Sequence, residues 1–176
     1  MTTLDTQADI FARELHDAER ADLPPDEAFA RANALATGLF PHQVEGVAFL
    51  LGRRRAILAD DMGLGKTRQA IVALRHTAPG GPYLVVCPAS VKRNWAREIA
   101  VVDPEARVRI VEGKTPDVAP PGVTPNGHAS WTILNYDVLG AHAPVLEAID
   151  WAGFVIDEAH YLKNHTSGSP EPPSSR

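Results

Sequence analysis

A glycine-rich segment, residues 60–67, directly follows a short apolar run at residues 56–59. Residues 67–75 place apolar side chains at helical spacing. A strand, a glycine turn and a helix in this order put the turn at a helix N-terminus, where main-chain N–H groups and the helix dipole favour an anion. Gly63 and Gly65 lack a Cβ, so the main chain can close around phosphate oxygens there. The segment therefore predicts a phosphate-binding loop.

The residues that follow the glycines favour a nucleoside triphosphate. Lys66 can reach the β- and γ-phosphates, and the hydroxyl of Thr67 is placed to bind the Mg²⁺ ion that bridges them. The general phosphate-loop pattern has a glycine where this chain has Asp60, so an ordinary strand-to-helix turn is the alternative. The residues predicted to bind the triphosphate are Asp61, Met62, Gly63, Leu64, Gly65, Lys66 and Thr67.

Two acidic residues end a second apolar run, residues 152–156. If this run is a parallel strand, Asp157 and Glu158 lie at its carboxyl end, the edge at which open α/β sheets bind ligands. Asp157 is predicted to hold Mg²⁺, and Glu158 to act as the general base that activates water. A solvated turn is the alternative. Together with Lys66, these two acids form the predicted catalytic set.

The spacing of the apolar runs predicts the fold. Runs of strand length alternate with stretches of helical periodicity, which is typical of an α/β fold with a parallel sheet and crossover helices. Residues 113–130 contain four prolines and three glycines and are predicted to form a surface loop. The predicted strands are residues 56–59, 83–87, 108–111, 131–134 and 154–156.

The negative charge is concentrated near the N-terminus. Residues 1–38 contain eight acidic residues and three arginines, whereas residues 39–176 contain fourteen of each sign. Apolar residues in the first part of this segment share one helical face, and Pro24 and Pro25 separate it from a second helix that Gly38 can end. We predict an acidic helical extension that does not bind DNA by itself. It is a solvated hairpin or, alternatively, a binding site for a protein partner.

Composition favours an intracellular, cytoplasmic protein. No apolar stretch reaches the roughly eighteen residues that a membrane-spanning helix needs, so no membrane contact is expected. Cys87 is the only cysteine, and its place in an apolar run indicates a buried thiol in a reducing compartment. The seven histidines show no metal-site spacing with cysteine partners, so zinc is not expected.

Four segments carry a resemblance to a known family: residues 39–50, residues 60–67, residues 84–91 with Trp95, and residues 157–164. In order and spacing they resemble the Swi/Snf-type ATPases of helicase superfamily 2. In that family the phosphate loop begins with an acidic pair, which accounts for Asp60. The resemblance implies a RecA-like P-loop NTPase lobe that uses ATP and Mg²⁺ and acts on double-stranded DNA.

Individual residues acquire roles from this resemblance. Gln43 stands where the family's glutamine recognises adenine, and His160 where a histidine couples the nucleotide site to the rest of the motor. Pro88, Ser90 and Lys92 match the motif that touches the DNA backbone. Taken without the family, the same residues are compatible with a solvated glutamine, a packing histidine and ordinary surface groups.

The resemblance also implies a domain organisation. It comprises the extension at residues 1–38, an incomplete RecA-like lobe at residues 39–164 and a disordered tail at residues 165–176. The family's second RecA-like lobe, which supplies arginines to the γ-phosphate, is expected as a partner, in cis or as a separate chain. The predicted function is the ATP-binding portion of an ATP-dependent double-stranded DNA translocase, working on nucleoid or nuclear DNA. The alternative is a truncated nucleotide-binding remnant with little or no activity alone.

Overall fold

A computed structural model describes residues 22–58, 63–116 and 129–158 of the 176-residue chain. None of the helices in these ranges is long and apolar enough to cross a membrane. In chain order, the described elements are α1 (Pro25–Ala34), α2 (Pro41–Leu51), α3 (Lys66–Thr77), β1 (Tyr83–Cys87), the 3₁₀ turn Ala89–Val91, α4 (Lys92–Val102), β2 (Arg107–Ile110), β3 (Ser130–Asn135), α5 (Tyr136–Glu147) and β4 (Gly153–Ile156).

The strands form one parallel sheet in the order β2-β3-β1-β4. β1 is central, since Val85 pairs with Ile133 of β3 on one side and with Val155 of β4 on the other. Every β1 residue is at most 1% exposed, which explains why its sequence is a continuous apolar run rather than an alternating one. The sheet confirms the predicted α/β fold with crossover helices.

Helices cover both faces of the sheet because successive side chains of β1 point to opposite faces. One face packs against α3 and α4, and the other packs against α5. β1 and β3 are neighbours whose following helices lie on opposite faces, and their carboxyl ends therefore open a crevice of the kind in which such sheets bind ligands. The first face buries Ile71, Tyr83, Val85, Cys87, Trp95 and Ile99, and the second buries Leu84, Val86, Leu134 and Leu146.

The first two helices pack beside the sheet, with α2 lying against α3. α1 belongs to the predicted N-terminal extension, and Pro25 begins it as the proline pair predicts. Residues 1–21 of the extension lie outside the described residues. The packing brings the first turn of α2 next to the loop that precedes α3. The buried residues shared by these helices are Ala28, Ala32, Val44, Val47, Leu51 and Ala73.

The predicted first strand, residues 56–59, is wrong as far as the structure describes it. Residues 56–58 form no strand, Ile57 is 86% exposed, and Ala59 lies outside the described residues. An apolar run becomes a strand only by pairing with a neighbour. Of the described strands, β1 alone pairs with β4, and no strand pairs with residues 56–58. The other predicted strands are present, with ends shifted by one residue at most.

Candidate functional site

The phosphate loop and the two acidic residues lie at the same edge of the sheet. Leu74, near the C-terminus of α3, packs against Gly153 at the start of β4, and its main-chain oxygen accepts a hydrogen bond of 3.1 Å from the Tyr83 hydroxyl at the start of β1. α3 therefore runs opposite to the strands. Its first residue, Lys66, faces the carboxyl edge of the sheet, where Asp157 directly follows β4.

The N-terminus of α3 has the features of an anion site. Gly63 and Gly65 adopt positive φ angles of 88° and 73°, a conformation that favours glycine. α3 begins at Lys66, and in the described structure no side chain caps it and its first turn contains no acidic residue. The first N–H groups of a helix have no partner within the helix, so this terminus fits a phosphate. Asp61 and Met62, like Asp60, lie outside the described residues.

Two buried glutamines hold the loop in place. The main-chain oxygen of Leu64 accepts hydrogen bonds from Nε2 of Gln43 at 3.3 Å and from Nε2 of Gln69 at 3.1 Å. Each amide occupies the space that the Cβ of a residue other than glycine would fill. A Cβ on Gly65 would lie 2.1 Å from Nε2 of Gln43, and one on Gly46 would lie 2.0 Å from Oε1 of Gln69. Sequence reasoning missed Gln69, whose only signal is a polar residue among the buried positions of α3.

The Gln43 amide is engaged at both of its ends. Besides donating to the loop, it accepts a hydrogen bond of 3.0 Å from the main-chain nitrogen of Phe40. Contact with an adenine edge would therefore require a second bond at Nε2 or Oε1, or a rotation of the amide away from Leu64. His42 is exposed, and its ring stacks on Phe40 with the ring centroids 5.9 Å apart. An aromatic surface thus lies close to Gln43 in sequence and structure.

Asp157 is fixed by three hydrogen bonds. Its main-chain nitrogen donates to the oxygen of Val86 at 2.8 Å and extends the pairing of β4 with β1. Its main-chain oxygen accepts from the Tyr136 hydroxyl at 2.5 Å. Its carboxylate oxygen Oδ2 accepts from the indole Nε1 of Trp95 at 2.8 Å, and Trp95 is only 2% exposed. The carboxylate therefore has a defined orientation.

The groups around Asp157 are strained or electrostatically perturbed. Glu158 has a φ of 56°, a left-handed conformation that a glutamate adopts at some cost and that recurs at functional sites. Burial raises the pKa of the Cys87 thiol to about 12, and the Asp157 charge adds to this effect while Lys92 opposes it. Burial, with the same aspartate, also raises the pKa of Tyr136. Cys87 and Tyr136 consequently stay protonated and neutral beside the carboxylate at neutral pH.

Lys92 lies at the start of α4 with its ammonium directed into the protein. It is 9% exposed, and Nζ donates to the main-chain oxygen of Val111 and to Oδ1 of Asn135, both at 3.0 Å. Asn135 in turn donates from Nδ2 to Asp137 at 2.7 Å. Lys92 thus joins the ends of β2 and β3. In this structure its charge is used within the fold, which weighs against the predicted contact with a DNA phosphate.

The other predicted DNA-contacting residues lie in the turn between β1 and α4. Ser90 is exposed, and Pro88 is half-buried and begins the turn. His160, the predicted coupling residue, lies outside the described residues. Within the described ranges, no group of three or more His, Cys, Asp or Glu side chains is arranged to hold a metal ion. A site built on one carboxylate suits Mg²⁺, which is bound through one or two carboxylates, phosphate oxygens and water.

Comparison with known proteins agrees with this arrangement. The SNF2-related domain family matches residues 42–171. A Caenorhabditis elegans homolog of SWI/SNF-related matrix-associated actin-dependent regulator of chromatin subfamily A-like protein 1 is 36% identical over 132 residues, which cover 74% of this chain and 19% of that protein. The mouse DNA annealing helicase and endonuclease ZRANB3 is 35% identical over 141 residues, which cover 76% of this chain and 13% of that protein.

A solved structure shows the same likeness. The Sulfolobus solfataricus SWI2/SNF2 ATPase core in complex with dsDNA superposes with a TM-score of 0.58 and 31% sequence identity, covering 72% of this chain and 27% of that one. The chain therefore spans less than a third of each of these proteins. With the family match covering most of its length and the parallel sheet in agreement, the chain belongs to the SNF2-related domain family.

Proposed function

We propose that this chain is the ATP-binding portion of an ATP-dependent double-stranded DNA translocase or remodelling ATPase. The observation that supports it best is the position of the uncapped N-terminus of α3, behind Gly63 and Gly65, at the sheet edge that carries Asp157. Nucleotide use is typical of the SNF2 family to which the chain belongs. The proposed domains are an extension at residues 1–38, a RecA-like lobe at residues 39–164 and a tail at residues 165–176.

ATP and Mg²⁺ fit the residues at this edge. Main-chain N–H groups at the start of α3, together with Lys66, bind the phosphates. Thr67 and Asp157 hold Mg²⁺, which neutralises charge on the phosphates when bound. Glu158 orients the attacking water and accepts its proton. Gln43, which already contacts the loop, reads the adenine, and His160 relays the state of the nucleotide.

Double-stranded DNA is the proposed polymer substrate, in the nucleoid or in the nucleus. The related Sulfolobus ATPase core was solved in complex with dsDNA, which supports this choice. Ser90 lies in the turn Ala89–Val91 at the carboxyl end of β1, and Pro88 directly precedes this turn. An exposed hydroxyl and a helix N-terminus at this position suit a phosphate. Because Lys92 is turned inward, these contacts are few. DNA binding by the chain alone should therefore be weak and sensitive to salt.

A second RecA-like lobe is the proposed protein partner. Arginines contributed across a nucleotide site increase phosphoryl-transfer rates by roughly 10³ to 10⁵. Without them, these 176 residues should hydrolyse ATP slowly and respond little to DNA. The competing proposal is nucleotide binding with little or no hydrolysis even when a second lobe is supplied, and it is supported by the inward-turned Lys92, which leaves few contacts through which DNA could stimulate hydrolysis.

Isothermal titration with ATP and Mg²⁺ tests the nucleotide site. Lys66→Ala should lose at least tenfold in affinity, since it removes the side chain proposed to contact two phosphates. Lys114→Ala is the matched control, because Lys114 is an exposed lysine that also follows a glycine. Equal affinities for wild type and Lys66→Ala, both folded, would contradict the phosphate-loop assignment.

Steady-state ATP hydrolysis separates the two functions. The translocase proposal expects slow turnover by the chain alone and faster, DNA-dependent turnover when a second lobe is added. Glu158→Gln should abolish both rates. Turnover that stays at background with a second lobe and duplex DNA present would favour nucleotide binding without hydrolysis. Robust DNA-stimulated turnover by these 176 residues alone would instead show that no second lobe is needed.

A further inference from the structure

The orientation of the Asp157 carboxylate depends on one side chain from another element. The main chain at Asp157 is held by Val86 and Tyr136, but these bonds do not set the rotation of its carboxylate. Oδ2 is held by the indole N–H of Trp95 at 2.8 Å, and no described residue donates a hydrogen bond to Oδ1. Of the described donors, Trp95 therefore decides which carboxylate oxygen is left for another ligand.

Indole is well suited to this task. Its N–H donates a hydrogen bond but carries no charge, and it offers no lone pair to a metal. A lysine or arginine in its place would neutralise the carboxylate and weaken its attraction for a cation. The ring is locked in the core among the side chains of β1 and β3, so its N–H has little freedom to move. Trp95 thus fixes Asp157 while leaving its full negative charge in place.

We propose that Trp95 is a positioning residue for the Mg²⁺ site, holding Oδ2 so that Oδ1 of Asp157 faces the bound ion. This proposal rests on the proposed function, because it assumes that Asp157 binds Mg²⁺ together with ATP. The competing explanation is that Trp95 is a core residue whose N–H merely needs a partner. Outer hydrogen-bond partners of metal ligands typically contribute 10- to 100-fold in metal affinity, whereas a packing role predicts no effect on the metal.

The chain offers a matched pair of variants. Trp95→Phe keeps an aromatic ring in the core and removes the N–H that binds Asp157. Trp131→Phe makes the same change at a tryptophan that is 1% exposed in the same core cluster and whose Nε1 has no partner in the described structure. Any general cost of replacing a buried indole by a phenyl ring should therefore appear in both variants, and the metal effect in only one.

ATP affinity measured in Mg²⁺ and again in EDTA provides the test. In wild type, Mg²⁺ should strengthen ATP binding, and in Trp95→Phe this gain should shrink by about tenfold while the affinity in EDTA stays unchanged. Trp131→Phe should behave as wild type. Direct titration with Mn²⁺ in the presence of ATP should give the same ranking. Equal Mg²⁺ gains in Trp95→Phe and wild type would overturn the positioning role and leave the proposed function intact.

Wild-type protein that binds no ATP in Mg²⁺ would remove the proposed function and this proposal with it. If Trp95→Phe does not fold, the NMR resonances of the indole N–H groups in the wild type test the positioning role instead. The chain has three tryptophans, so Trp131→Phe and Trp151→Phe assign the third resonance to Trp95. Adding Mg²⁺ to the ATP complex should shift the Trp95 resonance most. A Trp95 resonance that does not respond would reject the proposal.

Discussion

The parallel strands begin at the amino edge of the sheet and end at its carboxyl edge. Polar side chains make different contacts at these two edges. At the amino edge, these side chains close the fold: the Tyr83 hydroxyl donates to main-chain oxygens at the end of α3, and Arg75 forms an ion pair of 2.8 Å with the buried Asp103. The Nε1 of Trp131, which follows the first residue of β3, has no partner in the described structure. The polar contacts described at this edge therefore join elements of the fold to one another.

At the carboxyl edge, polar side chains mainly bind one another. Trp95 holds Asp157, and Lys92 holds Asn135. Glu158 adopts a left-handed backbone conformation that is unfavourable for its type. The backbone conformation of Glu158 costs stability, which is expected where a site is kept ready for a ligand. We therefore expect ligand binding at the carboxyl edge, whereas the contacts described at the amino edge stabilise the fold.

Lys92→Met should produce the largest effect and tests the simplest form of this comparison. Two buried oxygens would each lose a donor at roughly 1–3 kcal/mol, so the free energy of unfolding should fall by about 2–6 kcal/mol. Urea denaturation measures it, with Arg93→Met as the control, because Arg93 is the exposed neighbour. If Lys92→Met keeps wild-type stability and loses only DNA affinity, this lysine serves DNA and the whole carboxyl edge is devoted to binding.

Gly153→Ala should give an intermediate effect at the amino edge. The added Cβ would lie 2.5 Å from Leu74 and 3.1 Å from Tyr83, so we expect a loss of about 1–3 kcal/mol in stability. ATP affinity should be unchanged. Gly140→Ala in α5 is the matched control, since nothing lies within 4 Å of its Cβ position and a helical alanine is favoured by about 1 kcal/mol. A loss of ATP affinity in folded Gly153→Ala would mean that the two edges are coupled.

The titration of Cys87 should give the smallest effect, a loss of folding stability at alkaline pH. Its pKa is raised in the folded protein from an ordinary value of 9.0 to about 12, so the unfolded chain loses the thiol proton first. The stabilisation is fully present below pH 9 and is lost as pH rises toward 12. At pH 10 the loss should be about 1 kcal/mol. Urea denaturation of wild type and Cys87→Ala at pH 8 and pH 10 measures it. Equal changes in the free energy of unfolding of the two proteins would show that the pKa of Cys87 is not raised in the folded protein.

The fold was predictable where the signal is local and a neighbouring strand is present. The apolar run at residues 83–87 predicts a strand, and it became the central one because both neighbours pair with it. Residues 56–58 carry a similar signal, yet no described strand pairs with them, and Ile57 is exposed. A strand is a property of two segments, and the sequence of one segment cannot show whether the other is in place.

The site was predictable in its residue types and less so in its contacts. The glycines and Asp157 follow from position relative to strands and helices, and the structure brings them to one sheet edge. The bond between Trp95 and Asp157 joins residues 62 positions apart and has no local signal. Lys92 has the sequence appearance of a surface charge, because its burial depends on acceptors at the ends of two distant strands. The roles in ATP and DNA binding stay predictions.

The close approach of Gly46 and Gln69 has a consequence for how this family's sequences can vary. A glycine within α2 costs roughly 1 kcal/mol relative to alanine, yet it provides the room that lets Gln69 reach the phosphate loop. Position 46 cannot gain a Cβ while Gln69 keeps this conformation. Relatives that carry alanine or a larger residue at the first position should have lost the long amide at the second. The two sites should therefore covary, although they lie 23 positions apart in the chain.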